Sequence, residues 1–86
     1  MIDALEYMHD DASVCHRDLK LENILIDGQL TFKLIDLGLS ASGDLNRVTG
    51  AVGSPSYVAP EVLTDYMYDG RKVDLFSMGV LLFIMV

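Results

Sequence analysis

The chain has 86 residues, a formal charge of −7 at pH 7 and a hydrophobic content of 51%. Its length allows one small domain or a part of a larger one. The acidic balance argues against nucleic acid as a partner and against an anionic membrane surface, because both attract basic patches.

The hydrophobic content is high for a chain that can bury only part of its surface, so we expect a core cut out of a larger domain. Cys15 is the single cysteine, which excludes an internal disulfide and is typical of a reducing, intracellular and cytoplasmic location. We expect Cys15 to be a small buried hydrophobe. The first residues lack the pattern of a signal peptide. The apolar run at 75–86 is too short to span a bilayer.

The first half of the chain contains a predicted helix and a predicted hairpin. Residues 2–12 have the apolar spacing of an amphipathic helix, and residues 16–23 have the mixed polarity of a loop. Two predicted strands at 24–26 and 30–35 are joined at Asp27 and Gly28, a dipeptide that suits a tight turn.

The second half is predicted to be a long loop followed by two helices. Residues 39–58 are rich in Gly, Ser and Thr without a sustained period, which indicates a functional or disordered loop. Pro60 suits the first position of a short helix. Residues 73–86 are apolar nearly all round, which predicts a helix that is buried on every side.

Four motifs follow one another along the chain. The sequence HRDLKLEN lies at 16–23, DLG at 36–38, APE at 59–61 and DLFSMG at 74–79. In this order they resemble the H-R-D-L-x-x-x-N, D-F-G, A-P-E and D-x-W-S-x-G motifs of the eukaryotic serine/threonine protein kinase family. The sequences of the segment at 53–63 and of the last helix resemble those of the calcium/calmodulin-dependent kinase group.

The resemblance covers residues 1–86 and implies an α+β, protein-kinase-like fold. It corresponds to part of the C-terminal lobe, with helices and a short β-hairpin, and the N-terminal lobe is expected to be absent. It implies a catalytic loop at 16–23, a magnesium loop at 36–38, an activation segment at 36–61 and the start of a central helix at 73–86.

The implied reaction moves the γ-phosphate of ATP to a Ser or Thr hydroxyl of a protein substrate. In this reading Asp18 is the catalytic base, and Lys20 neutralises charge on the transferred group and favours Ser/Thr specificity. Asn23 and Asp36 are the implied Mg²⁺ ligands, since Mg²⁺ takes oxygen ligands. Leu25 is implied, with Leu81 and Met85, in an apolar stack beneath the adenine ring.

The resemblance also implies regulatory and docking residues. Arg17 is the residue implied to bind the phosphate of a phosphorylated activation segment. Thr49 is the first candidate phosphosite, and Ser40 and Ser42 are the second choices. Ser54 is implied in substrate docking, hydrogen-bonded toward Asp18 and Lys20. Asp74 is implied as the brace that accepts backbone N–H groups of the catalytic loop.

Two residues depart from the family pattern, because Leu37 replaces the Phe of D-F-G and Phe76 replaces a Trp. Both changes keep an apolar side chain. The family's glycine-rich loop and strand lysine do not occur in these 86 residues. Since positioning supplies most of the catalysis in this reaction class, we expect negligible activity from the isolated chain.

The sequence also bears on two alternatives to an active kinase and on a zinc site. A truncated kinase or pseudokinase acting as a non-catalytic binding or regulatory piece stays open. A small-molecule phosphotransferase of the same fold is disfavoured by the APE motif. Zinc binding by His9 and His16 is disfavoured by one cysteine and by the lack of metal-ligand spacing.

Overall fold

The computed structural model describes residues 2–26, 28–29 and 32–85, without the side chains of Ile2, Ile26 and Phe32. The predicted first helix is present. Helix α1 spans Ile2–Glu6 and continues as a π-helical turn over Tyr7–Asp11, where the N–H of Ala12 donates to the carbonyl of Tyr7 at 3.0 Å. One face of this segment reaches the core through Leu5, which is 2% exposed.

Within the described residues, the strands form three separate two-stranded antiparallel sheets. The predicted hairpin pairs β2 (Ile24–Ile26) with β3 (Phe32–Leu34). A 3₁₀ turn over Leu21–Asn23 leads into it. Asp27, Leu30 and Thr31, which belong to the predicted turn and strand, lie outside the described residues, as does Val86.

The stretch at 39–58 was predicted to lack regular structure, and that prediction is wrong in two places. Strand β4 (Ala41–Ser42) pairs with β1 (Val14–Cys15), and β5 (Val48–Thr49) pairs with β6 (Met67–Tyr68). Each strand has only two residues, which is too short for a period of two to be recognised in the sequence.

The two predicted C-terminal helices are present. Helix α2 spans Pro60–Thr64, and Pro60 occupies the first turn, where its missing N–H would have no helical partner. Helix α3 spans Gly70–Met85 and begins three residues before the predicted start. The reason is a cap, since Asp69 Oδ1 accepts the backbone N–H of Arg71 at 2.9 Å.

The core consists of two hydrophobic clusters around α3. The smaller cluster contains Leu5 of α1, Leu19 of the segment at 16–23 and Met78 of α3, and Leu34 packs against it. The larger cluster packs the start of α3 against the two small sheets and α2, through Cys15, Leu45, Val48, Ala59, Val62, Tyr68 and Val73.

The sequence predicts burial of α3 on every side only within a larger protein, since 86 residues cannot wrap such a helix, and the structure agrees. Its inner face is buried, including Leu81 at 0% exposure. Its outer face is open, because the described residues are too few to cover both sides. The exposed side chains on this face are Leu75, Phe76, Leu82 and Phe83, and Ile84 and Met85 are exposed at the end of the helix.

Candidate active site

Asp74 ties helix α3 to the segment at 16–23. Its carboxylate is fully buried, Oδ2 accepts the backbone N–H of His16 at 2.8 Å, and Oδ1 accepts that of Arg17 at 2.9 Å. These are the bracing contacts that the sequence predicted for Asp74. Arg17 has a φ of 68°, which costs free energy in a residue with a side chain and is held here by the Asp74 contact.

His16 fixes the same segment from the other side. Its Nε2 lies 2.9 Å from the carbonyl of Ile35, and its Nδ1 accepts the backbone N–H of Asp18 at 3.1 Å. A neutral imidazole with its hydrogen on Nε2 satisfies both contacts. His16 is fully buried, so it links the residue before Asp36 to the backbone of Asp18.

Asp18 contacts three other residues of the predicted site through its carboxylate. Its side chain is nearly buried, and Oδ1 accepts the hydroxyl of Ser54 at 3.0 Å. Oδ2 accepts the amide of Asn23 at 3.3 Å and lies 3.9 Å from Nζ of Lys20. Ser54 comes from 36 residues further along the chain. The structure therefore brings together Asp18, Lys20, Asn23 and Ser54.

Two hydrogen bonds to Asp18 orient the side chain of Asn23. Its amide nitrogen donates to the backbone carbonyl of Asp18 at 2.8 Å, besides the Oδ2 contact, and the side chain is buried. This orientation points the donor end at Asp18 and leaves the amide oxygen as an acceptor. The amide oxygen is a ligand type that Mg²⁺ takes.

Asp36 follows a residue whose backbone is hydrogen-bonded to Asn23. The N–H of Ile35 donates to the carbonyl of Asn23 at 2.9 Å, so Asp36 is the next residue after that contact. Asp36 has a φ of 61° and an exposed side chain, whose Oδ1 accepts the N–H of Gly38 at 3.3 Å. One carboxylate and one amide fit Mg²⁺ that is otherwise held by phosphates and water.

Leu25 offers an apolar surface on β2, since its side chain is 51% exposed. Leu81, which the sequence placed in the same stack, is fully buried in the core. The structure thus leaves Leu25 accessible to a flat ligand and uses Leu81 for packing.

Arg17 reaches the segment that was predicted to be regulatory. Its Nη1 donates to the backbone carbonyl of Thr49 at 2.6 Å, and its Nε donates to the carbonyl of Leu39 at 2.8 Å. The Thr49 residue is exposed on β5. Arg17 and Thr49 are therefore neighbours, but the contact is made by the backbone of Thr49.

Sequence reasoning missed two residues around the site. His9 was considered only as a zinc ligand, but its Nε2 lies 2.7 Å from Oδ2 of Asp74 and its side chain is 8% exposed. Tyr68 was not singled out, although its hydroxyl accepts from Nη1 of Arg17 at 3.2 Å. The π-helical turn that carries His9 had no signal in the sequence, although such turns are frequent at functional sites.

Metal and membrane features are limited in the part of the chain that is described. Those residues include no group of three or more His, Cys, Asp or Glu side chains arranged to hold a metal ion. They also include no helix that is both long and apolar enough to cross a membrane.

A family model for the protein kinase domain matches residues 1–86. The chain belongs to the protein kinase domain family. The resemblance drawn from the four motifs is confirmed, and the α+β content of helices and small antiparallel sheets agrees with it.

Among the curated relatives of this kinase-family chain are plant serine/threonine kinases. It is 48% identical over 90 residues to CBL-interacting protein kinase 28 of Oryza sativa subsp. japonica, covering 100% of this chain and 20% of the relative. It is 46% identical over 89 residues to CBL-interacting serine/threonine-protein kinase 14 of Arabidopsis thaliana, covering 99% and 20%. A third relative, serine/threonine-protein kinase SAPK1 of Oryza sativa subsp. japonica, is 46% identical over 89 residues, covering 100% and 26%.

The chain thus spans about a fifth to a quarter of the length of these relatives. The names of the relatives support a serine/threonine kinase, and they are consistent with the calcium-related group that the sequence suggested.

Proposed function

We propose that the chain is part of the C-terminal lobe of a serine/threonine protein kinase that transfers the γ-phosphate of ATP to a protein hydroxyl. The observation that carries this proposal is the convergence on Asp18. A single carboxylate receives the Ser54 hydroxyl, the Asn23 amide and a nearby Lys20 ammonium. This arrangement suits a group that orients a substrate hydroxyl and accepts its proton.

Within this proposal, each residue has a role that its contacts support. Asp18 is the base, and the Ser54 hydroxyl bonded to it marks where a substrate Ser or Thr hydroxyl would dock. Lys20, whose side chain is about a quarter exposed, carries positive charge at the edge of the same carboxylate. That charge can stabilise negative charge as it builds up on the transferred group.

Cofactor binding in this proposal belongs to Asn23, Asp36 and Leu25. Asn23 and Asp36 would hold Mg²⁺ with oxygen, and Leu25 would contact the adenine of ATP. When bound, Mg²⁺ neutralises charge on the phosphate oxygens. The segments proposed for these tasks are the catalytic loop at 16–23, the magnesium loop at 36–38, the activation segment at 36–61 and the central helix that starts at 73.

The proposed partners are ATP and a protein that presents a Ser or Thr, and the proposed location is intracellular and cytoplasmic. Nucleic acid and membranes are not among the partners, in keeping with the charge of −7. Arg17 and Thr49 form the proposed regulatory pair, with Thr49 as the phosphorylated residue.

A chimera tests the proposal, because the chain covers only part of its relatives. Residues 1–86 replace the aligned segment of the rice CBL-interacting protein kinase 28, and transfer of the γ-phosphate of ATP to a Ser/Thr peptide is measured with Mg²⁺. We expect the chimera to phosphorylate the peptide. Asp18→Asn should lower kcat by about 10²- to 10⁴-fold, the usual contribution of a general base.

Asp65→Asn is the matched control, since Asp65 is an exposed carboxylate outside the site, and it should leave kcat unchanged. A folded chimera that transfers no phosphate, while the unmodified relative does, would sink the proposal and favour a non-catalytic binding or regulatory role.

A further inference from the structure

The guanidinium of Arg17 is held by neutral acceptors of the activation segment. Nε donates to the carbonyl of Leu39, and Nη1 donates both to the carbonyl of Thr49 and to the hydroxyl of Tyr68. Two of these contacts are 2.8 and 2.6 Å long, as short as charge-assisted hydrogen bonds usually are. Arg17 therefore joins the segments at 39 and 49 through hydrogen bonds to two backbone carbonyls.

Tyr68 completes this arrangement from strand β6. It lies opposite Val48 in the β5–β6 pair and is 5% exposed, so its ring belongs to the larger hydrophobic cluster. Its hydroxyl accepts from Nη1 of Arg17 and donates to the carbonyl of Gly50 at 2.5 Å. The phenol thus uses its donor and an acceptor to join Arg17 to the residue after Thr49.

Gly50 allows the guanidinium to come this close. Its φ is 111°, a conformation that residues with side chains rarely adopt. A Cβ at this position would lie 3.2 Å from Nη1 of Arg17. The backbone at residue 50 is therefore shaped to fit Arg17.

We propose that Tyr68 is a positioning residue for Arg17. Together the two residues hold the activation segment in place at Thr49 and Gly50 before any phosphate is added. Thr49 takes part through its carbonyl, while its residue lies on the exposed side of β5. A phosphate on Thr49 would then strengthen an ordered segment and would not be needed to create it. This consequence rests on the proposed kinase function, whereas the contact itself does not.

Hydrogen–deuterium exchange on the chimera tests the proposal. Tyr68→Phe removes the hydroxyl and keeps the ring. We expect exchange at 48–50 to accelerate about fivefold, the effect of losing a hydrogen bond worth roughly 1 kcal/mol. Peptides from β2 and α3 should be unchanged. Tyr66→Phe is the matched control, because Tyr66 is 84% exposed in the neighbouring loop, and it should change nothing.

Two further readouts separate positioning from general loosening. The Nε–H signal of Arg17 in a ¹⁵N spectrum should exchange faster with water in Tyr68→Phe. Thr49→Ala keeps the carbonyl and should match the unmodified protein in both measurements. Unchanged exchange at 48–50 in Tyr68→Phe, equal acceleration throughout the chain, or equal loosening by Thr49→Ala would each overturn the proposal. Exchange does not require phosphate transfer, so its outcome is independent of the kinase assay.

Discussion

Single buried polar residues hold the site together, and Asp74 is the clearest case. It is fully buried and receives two backbone N–H groups and the His9 ring. A buried carboxylate is stable only when its oxygens are satisfied, as they are here. The same contacts fix the backbone on either side of His16, so this one residue couples the position of α3 to the segment at 16–23.

Asp74→Asn is expected to lower the free energy of unfolding of the chimera by about 2–3 kcal/mol, because the amide group has one acceptor oxygen where three donors converge. Urea unfolding measures the change. Asp65→Asn, the exposed control, should stay within about 0.5 kcal/mol of the unmodified protein. Equal stability of the Asp74→Asn variant would show that the bracing contacts contribute little.

The buried thiol of Cys15 gives a prediction for the rate of its alkylation between pH 7 and 9. Burial, followed by the neighbouring Asp74 charge, raises the pKa of its thiol. A raised pKa in the folded state contributes stability that is present below the ordinary thiol pKa and is lost as pH rises through the raised value. We expect iodoacetamide to alkylate Cys15 far more slowly in the folded chimera than in urea between pH 7 and 9, with Cys15 followed by peptide mass spectrometry. Equal rates would contradict burial of the thiol.

At the scale of elements, the two glycines of α3 have different surroundings. A Cβ at Gly70 would lie 2.5 Å from Sγ and 2.9 Å from Cβ of Cys15, so β1 packs directly on the start of the helix. A Cβ at Gly79 would meet nothing within 4 Å. Close packing explains the first glycine, and the helix backbone alone does not require the second.

This difference predicts opposite signs for the same substitution. Gly70→Ala should destabilise the chimera by about 1–3 kcal/mol through overpacking. Gly79→Ala should stabilise it by about 0.5–1 kcal/mol, because alanine loses less backbone entropy in a helix. The urea midpoint of the helical circular dichroism signal measures both. Shifts of the same sign would show that the Cys15 contact does not limit the helix start.

At the scale of the whole molecule, the chain leaves a large apolar face on α3. Phe83 is 84% exposed, and five further apolar side chains of this helix are between 44% and 57% exposed. Monomeric proteins rarely expose so much contiguous apolar surface. The inner face of α3 is packed against the core, whereas its outer apolar face has no covering residues in the described chain.

We therefore expect the isolated 86-residue chain to be poorly folded. It should bind the dye ANS and lose its circular dichroism signal over a broad temperature range, whereas the chimera should do neither. Sedimentation velocity would follow association through the exposed face. A sharp, cooperative melt of a monomer would contradict this expectation.

The sequence alone determined the main elements and the family. The hairpin, Pro60 at a helix start and the apolar C-terminal helix all follow from local pattern, because turn chemistry and periodicity act over a few residues. The order of the four motifs was enough to recognise a protein kinase, which the family model confirmed. The roles of Asp18, Asn23 and Asp36 stay predictions that rest on this resemblance.

Only the tertiary structure decided which distant residues meet. The pairing of β5 with β6, the contact of His9 with Asp74 and the contact of Tyr68 with Arg17 join residues that are 51 to 65 apart or lie in strands of two residues. Such contacts depend on how the core packs, and no local pattern records them. The same packing decided which face of α3 is covered and which is open, whereas the sequence indicates only that 86 residues cannot cover such a helix on every side.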